Sequence, residues 1–222
     1  MGILQLSFGD TERALQRILC LGAHCDDIEI GCGGMLRQLL GDPARPVEVQ
    51  WVVLSSTDER SREARASADR FLAGARSADV RVETFRDGYF PYCGGDLKDY
   101  FEALKADAFE PDLILTHYGN DRHQDHRLVS ELTWNTFRNH LVLEYEIPKY
   151  DGDLGQPNFY LPLSEKERRD KIEFLLDEFP SQRTHPWFDA EMFNGLMRVR
   201  GMECNAASGY AEAFYARKLL AG

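Results

Sequence analysis

The chain has 222 residues, 43% of them hydrophobic and 28% charged, with a formal net charge of −11 and an isoelectric point near 5.0. That length suits one domain, taken as residues 1–222, with a core that needs no disulfide support. The acidity argues against unaided nucleic-acid binding and against an anionic membrane surface, since both need clustered Lys and Arg. Five cysteines (20, 25, 32, 93 and 204) form no CxxC pair. Their odd number and irregular spacing argue against a disulfide framework and a cysteine-zinc site, and suit reduced thiols in the cytoplasm. Residues 1–10 lack the basic region and apolar run of a signal peptide. No stretch approaches the ~20 apolar residues of a membrane span, so a cytoplasmic location is expected.

In chain order, short apolar runs alternate with amphipathic stretches. Arg17 to Ala23 reads as a buried strand. Gly33 to Leu40 reads as a helix stopped by Gly41-Asp42-Pro43. Val47 to Leu54 is β-branched and apolar, hence a second strand, and Asp58 to Leu72 is a charged helix with Ala64, Ala68, Phe71 and Leu72 on one side. Val80 to Phe85 reads as a third strand. Leu97 to Phe109 carries a helical stripe of Leu97, Tyr100, Phe101 and Leu104. Leu113 to Thr116 reads as a fourth strand, Asp125 to Asn139 as a helix, and Leu141 to Ile147 as a strand at an edge. Tyr150 to Leu163 is rich in Gly and Pro and reads as a loop, with the wider 145–163 segment suited to a lid, a specificity loop or an oligomer contact. Ser164-Glu165-Lys166-Glu167 fits a capping box opening a helix to Phe179. Ala211 to Leu220 reads as a closing helix. This βαβα rhythm predicts an α/β, Rossmann-like fold: a mostly parallel sheet with helices on both faces.

The chemistry concentrates in two segments. Ile18-Leu19-Cys20-Leu21-Gly22-Ala23 runs into His24-Cys25-Asp26-Asp27, and His117 to His126 contains His117, Asp121, His123, Asp125 and His126. Both follow strands, and open α/β sheets bind ligands beyond the carboxyl ends of their strands. The three-residue step from His24 to Asp27 lets both side chains reach one ion across a turn, and His126 can supply a third ligand. Three protein ligands leave a fourth position to water, as in catalytic zinc sites. Asp26 is then a spare carboxylate suited to general base. His123, about one helical turn before His126, suits oxyanion stabilisation or protonation of a leaving amine. Asp125 suits holding a histidine of the site in its working tautomer. Two histidines and one carboxylate also suit Fe(II), so Zn2+ is the first expectation and Fe2+ the second.

Here the chain resembles the PIG-L (LmbE-like) family of zinc-dependent deacetylases. The resemblance rests on Ala23-His24-Cys25-Asp26-Asp27, His123-Gln124-Asp125-His126 and Gly31-Cys32-Gly33-Gly34. It extends through Arg60 to Glu63, Arg86-Asp87-Gly88, Pro111-Asp112, Arg200-Gly201 and Tyr210 to Phe214, nearly the whole chain in order. It implies His24, Asp27 and His126 as zinc ligands, Asp26 as base, His123 as acid or oxyanion stabiliser, and Asp125 as its support. It adds Arg60 and Asp87 as substrate-contacting residues. The implied reaction is hydrolysis of an N-acetyl group from a small molecule containing an amino sugar, with a homo-oligomer as a possible assembly. Cys25 and Gln124 stand where the family has proline, which bears on loop stiffness rather than on the ligands.

Other readings of the same residues are blander. Cys25 reads as a bystander thiol, and His140 and His185 as hydrogen-bonded structural residues. His117 either shapes the loop or lines the pocket. Gly31, Gly33 and Gly34 suit close helix–sheet packing better than a dinucleotide fingerprint, because the third glycine spacing is missing and two aspartates precede them. Two alternatives stand beside the deacetylase: an amidase of the same fold acting on another amide, such as a thiol conjugate, and a non-catalytic nucleotide-binding module.

Overall fold

The computed structural model describes residues 15–219; the reading of residues 1–10 and the last residue of the 211–220 expectation lie outside them. Seven strands form one sheet: β1 (Arg17–Gly22), β2 (Glu48–Val53), β3 (Ser77–Val82), β4 (Leu113–His117), β5 (Leu141–Tyr145), β6 (Phe159–Pro162) and β7 (Ala211–Ala216). Their order is β3-β2-β1-β4-β5-β7-β6. The first five run parallel, and β7 pairs antiparallel with both β5 and β6. The expected mostly parallel α/β sheet is therefore present.

Alternation along the strands sorts the core into two layers. Ile18, Cys20, Trp51, Val53, Leu113 and Leu115 face one side with residues of α1 (Asp27–Leu40), α2 (Asp58–Phe71), α5 (Glu165–Glu178) and α6 (Ala190–Glu203). Leu19, Leu21, Val52, Ile114 and Val142 face the other with α3 (Gly94–Ala106) and α4 (Gln124–Thr136). Helices thus cover both faces. Among the described residues, no helix is long and apolar enough to cross a membrane.

Several elements differ from expectation. β5, read as a strand at an edge, is paired on both sides, with β4 and β7. The segment from Ala211 is strand β7, not a helix: Ala, Glu, Leu and Lys favour a helix locally, but Ala211, Glu212, Ala213 and Phe214 are buried between β5 and β6, and that packing overrides propensity. Residues 159–162, read as loop, form β6 on its outer edge. Helix α6, capped by the Asp189 side chain accepting from Met192 N–H, had no predicted counterpart. β3 starts three residues earlier than the apolar run suggests, and Glu83 and Phe85 continue its bonding to β2. The capping box at Ser164 is present as read, with both reciprocal bonds made.

Helix α1 begins at Asp27 rather than Gly33, with non-helical backbone at Cys32 (φ −145°). The kink frees two N–H groups, and Glu212 of β7 accepts both, from Gly34 and Met35, at 2.7 Å each. Buried Lys171 of α5 completes the joint, donating to Glu212 Oε1 and to the Ile30 carbonyl at 2.6 Å. The glycines here serve close packing: a Cβ at Gly31 would stand 2.1 Å from the Tyr145 ring. Removing one partner of a buried ion pair strands the other charge. Glu212→Gln should therefore destabilise the fold by about 3–5 kcal/mol, read as a lower urea midpoint at unchanged slope.

Candidate active site

The strand order reverses between β1 and β4, so the two turns that leave their carboxyl ends lie side by side. The first carries His24, Cys25 and Asp26 into α1, whose first residue is Asp27. The second runs from His117 to α4, where the His123 side chain caps the helix and accepts from Asp125 N–H. The ends are joined by Ala23 N–H donating to His117 Nε2 at 3.0 Å.

His24 Nδ1 stands 3.1 Å from His126 Nε2 and 3.3 Å from Asp27 Oδ2, and His126 Nε2 stands 3.6 Å from Asp27 Oδ1. A tetrahedral ion with bonds of about 2.0–2.1 Å keeps its ligand atoms roughly 3.3 Å apart. The three side chains are therefore within reach of one small divalent cation, the two Asp27 distances running to different carboxylate oxygens. Three overlapping sets of potential ligand atoms share this cluster: His24 with His123 and His126, Asp27 with His117 and His126, and His24 with Asp87 and Asp125. His117 is fully buried, and its Nε2 is already engaged by the Ala23 N–H, which favours the loop-shaping role over ligation.

The carboxylates around these groups have distinct duties. Asp26 is buried; its Oδ1 accepts from Arg60 Nη2 at 2.9 Å, and its Oδ2 has no hydrogen-bond partner. Asp125 meets the His123 ring only through its backbone N–H, not through its carboxylate. Its carboxylate accepts from Gly88 N–H at 2.7 Å and Phe90 N–H at 3.1 Å, and lies 3.3 Å from His24 Nε2. The histidine it orients is thus His24. Asp87, with a side chain 73% exposed, stands 3.1 Å from the same nitrogen, at the rim beside exposed Tyr89. His123 Nδ1 is occupied as an acceptor, so its neutral ring carries the proton on Nε2. Cys25 turns away and donates to the Ser55 carbonyl, and burial pushes its thiol up to about 12.

Sequence reasoning named Asp121 only as part of the second cluster. Its Oδ2 lies 2.9 Å from His126 Nδ1 and 2.9 Å from Lys149 Nζ. Such a carboxylate fixes the tautomer of a ligating histidine. The five-residue gap to His126 was the available signal. Lys149 and Asp153, which accepts from Arg122 N–H at 2.6 Å, dock the 146–158 loop onto this cluster, and nothing in its composition foretold that.

Burial opposes charge on His24, but Asp27, Asp125 and Asp87 override it and hold the imidazole well above its usual 6.5. Burial and then His117 push His126 down to about 3. Burial also opposes ionisation of Asp27, yet His126, His117 and His24 hold it well below the usual carboxylate range. The two histidines therefore act in opposite senses. His24 favours folding below pH 6.5 and loses that contribution as pH rises through its folded value. His126 costs stability as pH falls from 6.5 toward 3, where the unfolded chain takes up a proton the folded one refuses. In metal-free protein, ring nitrogen shifts should show His126 neutral to about one unit above its pKa of about 3, with His24 still protonated at pH 6.5. A His126 titrating near 6.5 would contradict the burial argument.

The family model described as PIG-L, GlcNAc-PI de-N-acetylase, matches residues 19–137, which include both turns. Comparison with curated protein sequences finds no match. Among solved structures, the chain is similar to GalB, the 4-carboxy-2-hydroxymuconate hydratase from Pseudomonas putida KT2440, at 17% identity and a TM-score of 0.73, covering 94% of this chain and 98% of that one. It is similar to N,N'-diacetylchitobiose deacetylase from Pyrococcus horikoshii at 19% identity and a TM-score of 0.62, covering 91% and 84%. It is also similar to the zinc-inhibited form of teicoplanin deacetylase Orf2 at 16% identity and a TM-score of 0.68, covering 90% and 97%. At these identities the likeness speaks for the fold, while the family match spans more than half of the sequence with the histidine and aspartate turns inside it. The chain belongs to the PIG-L family.

Proposed function

We propose that the protein is a metal-dependent N-deacetylase that removes acetyl from a small molecule containing an amino sugar. The observation that carries this reading is the convergence of His24 Nδ1, Asp27 and His126 Nε2 beside Asp26, whose second oxygen is buried and unpartnered. Family membership and the two deacetylases of like fold support it.

His24, Asp27 and His126 would hold the ion, with Zn2+ first and Fe2+ second as candidates. When bound, the ion would supply Lewis acidity toward a water and the acyl oxygen. Asp26 Oδ2 accepts the proton of the attacking water and returns it to the departing amine, so one carboxyl serves as base and then acid. His123 offers its Nε2–H to the oxygen that gains charge as the carbonyl becomes tetrahedral. Asp125 fixes His24 by its far nitrogen and Asp121 fixes His126 by its own, so neither ring can turn away. Asp87, exposed at the rim, is placed to accept from sugar hydroxyls.

Asp26→Asn should retain metal while amine release from N-acetylated amino sugars falls about 10²–10⁴-fold. Near-normal turnover in that variant would overturn the assignment of the base. Cleavage of other amides, with none of the acetylated sugars touched, would replace the substrate class with the amidase alternative. Asp121→Asn should weaken metal affinity about 10–100-fold with the fold intact, measured by competition against a chromogenic chelator. Unchanged affinity would remove His126 from the ligand set.

A further inference from the structure

The resemblance to the family gives Arg60 to the substrate, but its surroundings point elsewhere. Both terminal nitrogens are already committed within the protein. Nη2 donates to Asp26 Oδ1 at 2.9 Å, and Nη1 donates to Glu63 Oε2 at 3.3 Å and Ser181 Oγ at 3.2 Å. The guanidinium carbon also stands 5.4 Å from the centre of the buried Phe179 ring. Glu63 is locked in turn: its Oε1 accepts from Ser181 N–H at 2.9 Å and its Oε2 from Ser181 Oγ at 2.7 Å. The guanidinium is thus gripped on its edge by a carboxylate and a hydroxyl and on its face by an aromatic ring. A planar fork held this way transmits direction, which a freely rotating ammonium does not.

Asp26 is the group that receives that direction. A carboxylate bonded at one oxygen only has its rotation fixed and its second oxygen left for chemistry, and Asp26 has that pattern. Phe179 and Ser181 belong to the end of α5 and the 3₁₀ turn Pro180–Gln182, beyond the residues 19–137 that the family model matches.

We propose that Arg60 is a positioning residue for Asp26 rather than a substrate contact, and that the Phe179–Ser181 corner with Glu63 is the brace that holds it. The proposal rests on Asp26 acting as the base of the reading above. It divides the site into two halves. The histidine side is set by Asp121 and Asp125, and the base side is set from α2 and the turn after α5.

Kinetics and crystallography test it together, with N-acetylglucosamine and N,N'-diacetylchitobiose as probes. Arg60→Gln should lower kcat roughly 10²-fold with KM within about twofold, because a misplaced base costs turnover and not ground-state binding. Arg60→Lys, which keeps the charge and loses the fork, should recover only part of that loss. Ser181→Ala should lower kcat roughly three- to tenfold in the same pattern. In crystals of metal-free protein, the Asp26 carboxylate should be rotated or split between rotamers in Arg60→Gln and fixed in wild type. A KM raised tenfold or more at unchanged kcat would overturn the proposal and restore the substrate contact. If wild type releases no amine from either probe, the deacetylase reading fails for these sugars, and the crystal arm decides positioning alone: Asp26 unmoved in Arg60→Gln overturns it. Should Arg60→Gln not fold, Ser181→Ala takes its place, and an unshifted Arg60 with wild-type kcat there overturns the brace.

Discussion

The pairing of β1 with β4 is the constraint on which the site depends. These strands are about ninety residues apart in sequence, yet they pair in parallel over three positions, from Ile18 opposite Leu113 to Cys20 opposite Leu115. Their register decides where the two turns emerge. Ala23 and His117 come level at the carboxyl ends of the two strands, and the bond between them sews those ends together. A one-residue slip of β4 would turn His117 to the opposite face and carry the start of α4 about 3.3 Å along the sheet. The residues that set the register lie in the core, Ile114 packed in one layer and Leu113 and Leu115 in the other. Geometry at the site is thus inherited from packing well below it.

Around this junction the protein gathers Asp26, Asp27, Asp87, Asp121 and Asp125 around four histidines, His24, His117, His123 and His126. Like charges so close repel, and three of the carboxylates are held by specific donors: Arg60 for Asp26, Lys149 for Asp121, and two backbone N–H groups for Asp125, while Asp87 faces His24 Nε2. Asp27 has the His24 N–H at 2.6 Å and otherwise faces imidazoles. The residual negative field is directed at the point where the ligand atoms converge. This suits retention of a cation, on the proposed reading, and it discourages an anion such as a pyrophosphate. The field also explains how two histidines 3.1 Å apart differ in basicity: His24 faces three carboxylates, while His126 is deeper and stacked on His117 at 3.9 Å.

Much of this was legible from residues 17–137 because strand and helix patterns there obey their own periods, and the chemistry lies in two short contiguous runs. His24, Asp26, Asp27, His123, Asp125 and His126 could be named because nothing but a turn separates the members of each run. What the sequence hid depends on contacts across the fold. Lys149 meets Asp121, Ser181 meets Arg60, and Glu212 meets Gly34, and no local spacing predicts those meetings. β7 was misread for the same reason: Ala211 to Ala216 has a helix former's composition and a buried strand's environment. Arg60 shows the limit most sharply, because the resemblance to the family implies a reader of substrate and its surroundings make it a strut.

The kink at Cys32 ties the first turn of the site to the last strand of the sheet. The two backbone N–H groups opened there are accepted by a carboxylate 178 and 177 positions further along the chain. Until β7 arrives, the second half of α1 has no partner for those groups, and the Lys171 ammonium has no counter-charge. Closing so long a loop is entropically costly. The helix that starts at Asp27, and with it the turn carrying His24, is thus completed by a strand from the opposite end of the sequence order, so that damage at β7 reaches the site without touching any of its side chains.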